Sequence, residues 1–188
     1  QTSSLALLPA VSPAAEAQES LIESIEKVVV KTPALPKGTW FHPRACMIGK
    51  RAFMTTQPIL GSDHFGHVHW TTSDDLGQTW SDFIPVPPLG WVPMADGNNE
   101  AVCDVTPEFH AKTGSVLALG HNVFYKNKGF YRDQPSRWPI YAAWKDGAWG
   151  PRRKLVWDDP RGSEIYSNNC GQRINLPDGD VLMSFKIG

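Results

Sequence analysis

The stretch Ser73-Asp74-Asp75-Leu76-Gly77-Gln78-Thr79-Trp80 leaves the chain little freedom. It follows the run His67-Val68-His69-Trp70-Thr71, whose alternation is that of a β-strand with one face inward. Asp75 can accept hydrogen bonds from turn amides, Gly77 can take the positive φ of a tight reversal, and Trp80 can begin a return strand with a large buried ring. The hydroxyls of Ser73 and Thr79 can bond each other or the backbone across the turn. The stretch predicts a hairpin corner.

The same plan recurs along the chain. Strands are expected at 44–48, 51–57, 67–72 and 82–86, with a loop over 58–66. After a crossing loop at 87–100 they return at 102–109, 115–125, 140–144 and 153–157, with the shorter corner Lys145-Asp146-Gly147-Ala148-Trp149. A third set opens at 169–176 and 181–186, and Ser24 to Thr32 reads as one more strand ahead of the first set. A period of about 60 to 70 residues with about four strands per period predicts an all-β chain of four-stranded antiparallel β-propeller blades. Blade one is placed at about 40–87, blade two at about 101–158 and blade three from about 168, within a domain spanning 24–188. About two and a half blades cannot close a ring, so an N-terminal fragment of a larger propeller is expected.

Cys46, Cys103 and Cys170 lie in similar contexts and read as a repeat marker, one buried position on the first strand of each blade. A metal site is the weaker reading, because no Cys-x-x-Cys accompanies them. Composition agrees with a packed, turn-rich chain: 41% of residues are hydrophobic and 20% charged, and eight Trp accompany 16 Gly and 16 Pro. A formal net charge of -1 argues against a nucleic-acid partner and leaves no polybasic membrane patch. Residues 1–23 read as the remnant of a signal peptide, with Ala15-Glu16-Ala17 as a small-x-small cleavage pattern, or as a linker. Secretion or transfer to a periplasm is the corresponding expectation, and no apolar run is long enough to span a membrane.

The spacing Ser73-x-Asp75-x-Gly77-x-Thr79-Trp80 resembles the Asp-box, or BNR repeat, of the sialidase (neuraminidase) superfamily, and the resemblance covers about 40–188. It implies a propeller of about six blades, the Asp-box on the face away from the substrate with Asp75 structural rather than catalytic, and a carbohydrate-active enzyme. Sialidases carry their acid/base Asp in the loop that leads into the first Asp-box strand, which points to Asp63 in Gly61-Ser62-Asp63-His64-Phe65-Gly66. The plainer alternative for Asp63 is an Asx-turn. The arginines that would grip a substrate carboxylate are matched by Arg44, shifted past a proline in Phe41-His42-Pro43-Arg44, and by Arg173; ion pairs are the alternative for both. His64, Glu100 and Asp104 are further substrate-binding candidates at the propeller mouth.

The leading expectation is therefore an exported sialidase-like glycoside hydrolase acting on a terminal acidic sugar, the fragment alone being inactive. A polysaccharide lyase is the second, with Arg173 neutralising a uronate while His121 and Tyr166 exchange protons in β-elimination. A glycan-binding propeller without catalysis is the third. No cofactor or metal is expected. His67-x-His69 with His64 offers a zinc site on paper, but hydrogen-bonded strand histidines are the commoner case.

Overall fold

The computed structural model describes residues 22, 24–27, 29–30, 39–127, 129–131, 137–156 and 173–184. Strands account for the regular structure there, apart from a single 3-10 turn at Pro87–Leu89. The first sheet contains β1 (Thr39–Ile48), β2 (Arg51–Gly61), β3 (His64–Phe65), β4 (His69–Ser73) and β5 (Ile84–Pro85). Its antiparallel order β1-β2-β4-β5 is the meander of a propeller blade, with β3 an addition at the tip of β2. The second sheet adds β6 (Val92–Pro93), β7 (Asn99–His110), β8 (Ser115–Lys126), β9 (Gly129–Phe130), β10 (Pro139–Lys145), β11 (Ala148–Trp149) and β12 (Arg153–Lys154). Its meander runs β7-β8-β10-β12. A hairpin of β13 (Arg173–Asn175) and β14 (Val181–Met183) packs beside it.

β2 is buried along most of its length, whereas β1 alternates between exposed and half-buried positions. The polar residues Thr55 and Gln57 sit inside because they serve the neighbouring blade. Thr55 Oγ1 donates to the carbonyl of Val105 at 2.8 Å, and Gln57 Nε2 to that of Val102 at 2.8 Å. Between the blades, Val68, Val86 and Leu89 pack against Val102, Val105, Ala118, Ile140 and Ala142. Below them Phe53 is enclosed by the rings of Trp70, Trp144 and Trp149, at centroid distances of 5.1, 5.3 and 6.0 Å.

Several expectations need correction. β1 begins at Thr39 rather than Arg44, and β2 runs on to Gly61, so the expected loop at 58–66 is a tight hairpin. Pro43 is tolerated because a bulge between Phe41 and Arg44 removes it from the ladder. The described residues of 24–32 form no strand, and Ile25 and Val29 are exposed. Cys46 and Cys103 are not equivalent: Cys46 pairs with Phe53 near the β1–β2 turn, whereas Cys103 pairs with His121 toward the other end of its hairpin. The equivalence lies in the bulges. Phe41-His42-Pro43-Arg44 matches Cys103-Asp104-Val105-Thr106, with left-handed His42 (φ 52°) and Asp104 (φ 55°) in the same place. Cys170 lies outside the described residues.

The corner after β4 closes on Asp75. Ser73 Oγ donates to Asp75 Oδ1 (2.7 Å), Thr79 N to Oδ1 (2.9 Å) and Thr79 Oγ1 to Oδ2 (2.6 Å), while Gly77 N donates back to Ser73 Oγ (2.7 Å). Leu76 and Gly77 take positive φ. Trp80 is only half-buried and lies outside a strand, its indole N–H donating to the Gly77 carbonyl. The Thr79 hydroxyl and amide, then Ser73, hold the Asp75 carboxyl well below its ordinary 3.8, at about 2. The folded pKa is depressed, so the support given by this turn is complete above the unfolded value and is lost as pH falls toward 2. Melting temperature should therefore drop more steeply across that window in the unaltered protein than in Asp75→Asn. Parallel curves would contradict the capping role.

Candidate functional site

Antiparallel order puts the start of β1, the β2–β3 turn, the start of β7 and the end of β8 on one rim, and the Ser73–Trp80 corner on the other. On the first rim, where the two blades meet, is a cavity of about 430 Å³. Ser62-Asp63 forms its lip: Ile59 and Gly61 pair with Phe65 and His64, and Asp63 takes φ 51° to complete the reversal. Asp63 is exposed in the cavity wall.

The floor is built by the two bulges. Asp104 Oδ1 meets Arg44 Nη2 at 2.9 Å and His42 Nδ1 at 3.2 Å, joining blade one to blade two. Opposite the β7 bulge stands Gly120, where a Cβ would lie 2.4 Å from the carbonyl oxygen of Cys103. Beside it His121 is 2% exposed, its Nε2 3.2 Å from Cys103 Sγ. Burial pushes the His121 pKa well down; the Asp104 carboxylate opposes this, and the positive charges of Arg137 and Arg44 add to it. Burial likewise lowers His42. Both imidazoles are neutral at physiological pH.

Arg137 completes the wall. It is 7% exposed, and its guanidinium lies 5.3 Å from the Phe130 ring centroid. Phe41, Phe65 and Phe130 supply the apolar faces.

The structure thus brings together Asp63, Asp104 and His121, with Arg44 reaching the floor through Asp104. Other candidates it places elsewhere. The His64 ring packs against Trp91 and Tyr125 at 5.4 and 4.8 Å, away from the cavity lining. His67 stacks on Trp91 and His69 packs edge-on to Trp40, so the expected histidine pair is divided between two aromatic partners. Glu100 is held by Asn122 Nδ2 at 2.8 Å and by Arg152 at 3.0 Å, within its own blade.

Arg173 is corrected most clearly. Its side chain is 1% exposed and donates to Glu108 Oε2 (3.1 Å) and to the carbonyls of Thr106 and Leu117 (3.1 and 2.9 Å). It pins the β13–β14 hairpin to blade two toward the rim opposite the cavity, where β7 ends and β8 begins. Tyr166 lies outside the described residues. Besides His42 and the phenylalanine rings, Arg137 and Cys103 are cavity residues that escaped the sequence reading. Arg137 ends the loop that links the second and third strands of blade two, so the rule that selects mouth-side loops could have found it. Cys103 was read only as a repeat marker.

No family model and no curated protein matches this sequence. Among solved structures, a Hadza microbial sialidase, Hz136, superimposes with a TM-score of 0.58 at 15% sequence identity, over 77% of this chain and 31% of its own. The likeness establishes a sialidase-like β-propeller fold. The chain spans less than a third of that neighbour's length.

Proposed function

We propose that the chain is part of an exported glycoside hydrolase of the sialidase type, acting on a terminal acidic sugar, and that the cavity between blades one and two forms part of its substrate site. The observation that carries this reading is the presence of Asp63, Arg137 and three phenylalanine rings in one cavity wall. Asp63 would give its proton to the glycosidic oxygen as the bond breaks. A general acid must hold that proton near neutral pH in a dry setting, so the sugar itself has to cover the exposed carboxyl. Arg137 and Arg44 supply positive potential for a sugar carboxylate, and the rings supply flat apolar faces for the pyranose. The sialidase-like fold of the neighbour supports the same class of chemistry. The lyase reading loses support because Arg173, its charge-neutralising group, is engaged at the other rim.

In the protein carrying this chain at full length, Asp63→Asn should slow glycosides with poor leaving groups by about a hundredfold, while activated aryl glycosides suffer less. Equal losses on both would assign Asp63 to positioning. Formation of an unsaturated uronate product, with Asp63→Asn tolerated, would replace the hydrolase by a lyase.

A further inference from the structure

We propose that Cys103, Asp104 and His121 bind a divalent transition metal of the zinc type at the floor of the cavity. The thiol, carboxylate and imidazole offer ligand atoms that all lie within 4.8 Å of one another, and Cys103 Sγ is 3.2 Å from His121 Nε2. In a tetrahedral zinc site the bond lengths to sulfur and nitrogen put the ligand atoms about 3.5 Å apart, so small side-chain rotations suffice.

The backbone holds these residues in place. Cys103 and His121 are cross-strand partners on β7 and β8, and both are 2% exposed. Asp104 is turned toward them by the bulge that Gly120 accommodates. A site set on paired strands keeps its geometry better than one set on loops. Arg44 and His42 both approach Oδ1 of Asp104, an arrangement that orients a ligating carboxylate from outside.

Charge and softness point to the metal. One thiolate and one carboxylate neutralise a doubly charged ion, and a thiolate with an imidazole selects zinc over magnesium or calcium. On binding, the Cys103 S–H bond breaks, its proton passes to solvent, and the sulfur pair forms the bond to the metal. Arg44 and Arg137 are the cations nearby. Three protein ligands leave a fourth position, which opens into the cavity and would take water or a ligand oxygen. The glycosidase reading rests on Asp63 and needs no metal, so the two can fail separately.

Cobalt(II) is the probe. Titrating the chelator-treated protein should produce one equivalent of four-coordinate cobalt with a thiolate-to-metal charge-transfer band, displaced by zinc. Cys103→Ser should abolish that band and weaken zinc binding by about a hundredfold or more, whereas Cys46→Ser should leave both intact. Absence of the band in the unaltered protein, its survival in Cys103→Ser or its loss in Cys46→Ser would overturn the site. If Cys103→Ser does not fold, alkylation of the native protein decides: zinc must protect Cys103, mapped by mass spectrometry, and failure to protect it overturns the proposal.

Discussion

Phe53→Ala should destabilise the fold by about 4 kcal/mol. The ring is fully buried and meets Trp70 from its own sheet and Trp144 and Trp149 from the next. Alanine would remove the apolar surface of the ring and leave a cavity that three stiff indoles, held on β4, β10 and β11, close poorly. Because partners come from both sheets, the loss should appear in a single unfolding transition rather than in one blade alone. Denaturant titration followed by tryptophan fluorescence reads the effect directly. A loss below about 1 kcal/mol would show that the cluster collapses around the gap and does not join the blades.

Gly120→Ala should cost about 3 kcal/mol and damage the cavity floor as well. Its new Cβ would lie 2.4 Å from the Cys103 carbonyl oxygen and 2.8 Å from Val105 Cγ2. The first of these is backbone and cannot swing aside, so the bulge itself has to shift. Asp104 would then lose its approach to Arg44 and His42. The check is equilibrium unfolding, combined with the NMR shifts of the His42 and His121 rings. Unchanged stability together with unchanged ring shifts would mean that the bulge is softer than its contacts imply.

What could be read from residues alone was what is local. Ser73, Asp75, Gly77 and Thr79 announce their turn because the hydrogen bonds that make it span at most four residues. Strand ends were misjudged where proline was taken as a breaker. Pro58 pairs opposite Trp40, and Pro43 is taken up by a bulge. Asp63 was legible because Gly61 and Gly66 bracket a reversal. The contact of His42 with Asp104 was not, because it needs matching bulges in two blades and no spacing rule reports that. Arg173 was misplaced for a related reason: its partners Glu108, Thr106 and Leu117 lie more than 50 residues away in another blade.

The hydrogen bonds that Thr55 and Gln57 give to β7 bear on how the molecule yields under stress. The carbonyls of Val102 and Val105 are claimed by blade one, while those of Thr106 and Phe109 are claimed by Arg173 and Asn175 of the following hairpin. Peeling blade one away would strand buried acceptors on β7, and lifting the hairpin would leave the half-buried Thr106 carbonyl without its guanidinium, costs that discourage one blade from opening alone. β7 is thus the keel of the assembly, and its amides should be the last to exchange with solvent. A ligand entering the cavity lands on the part of the chain with least freedom left to lose, so little of its binding energy is spent on ordering the floor.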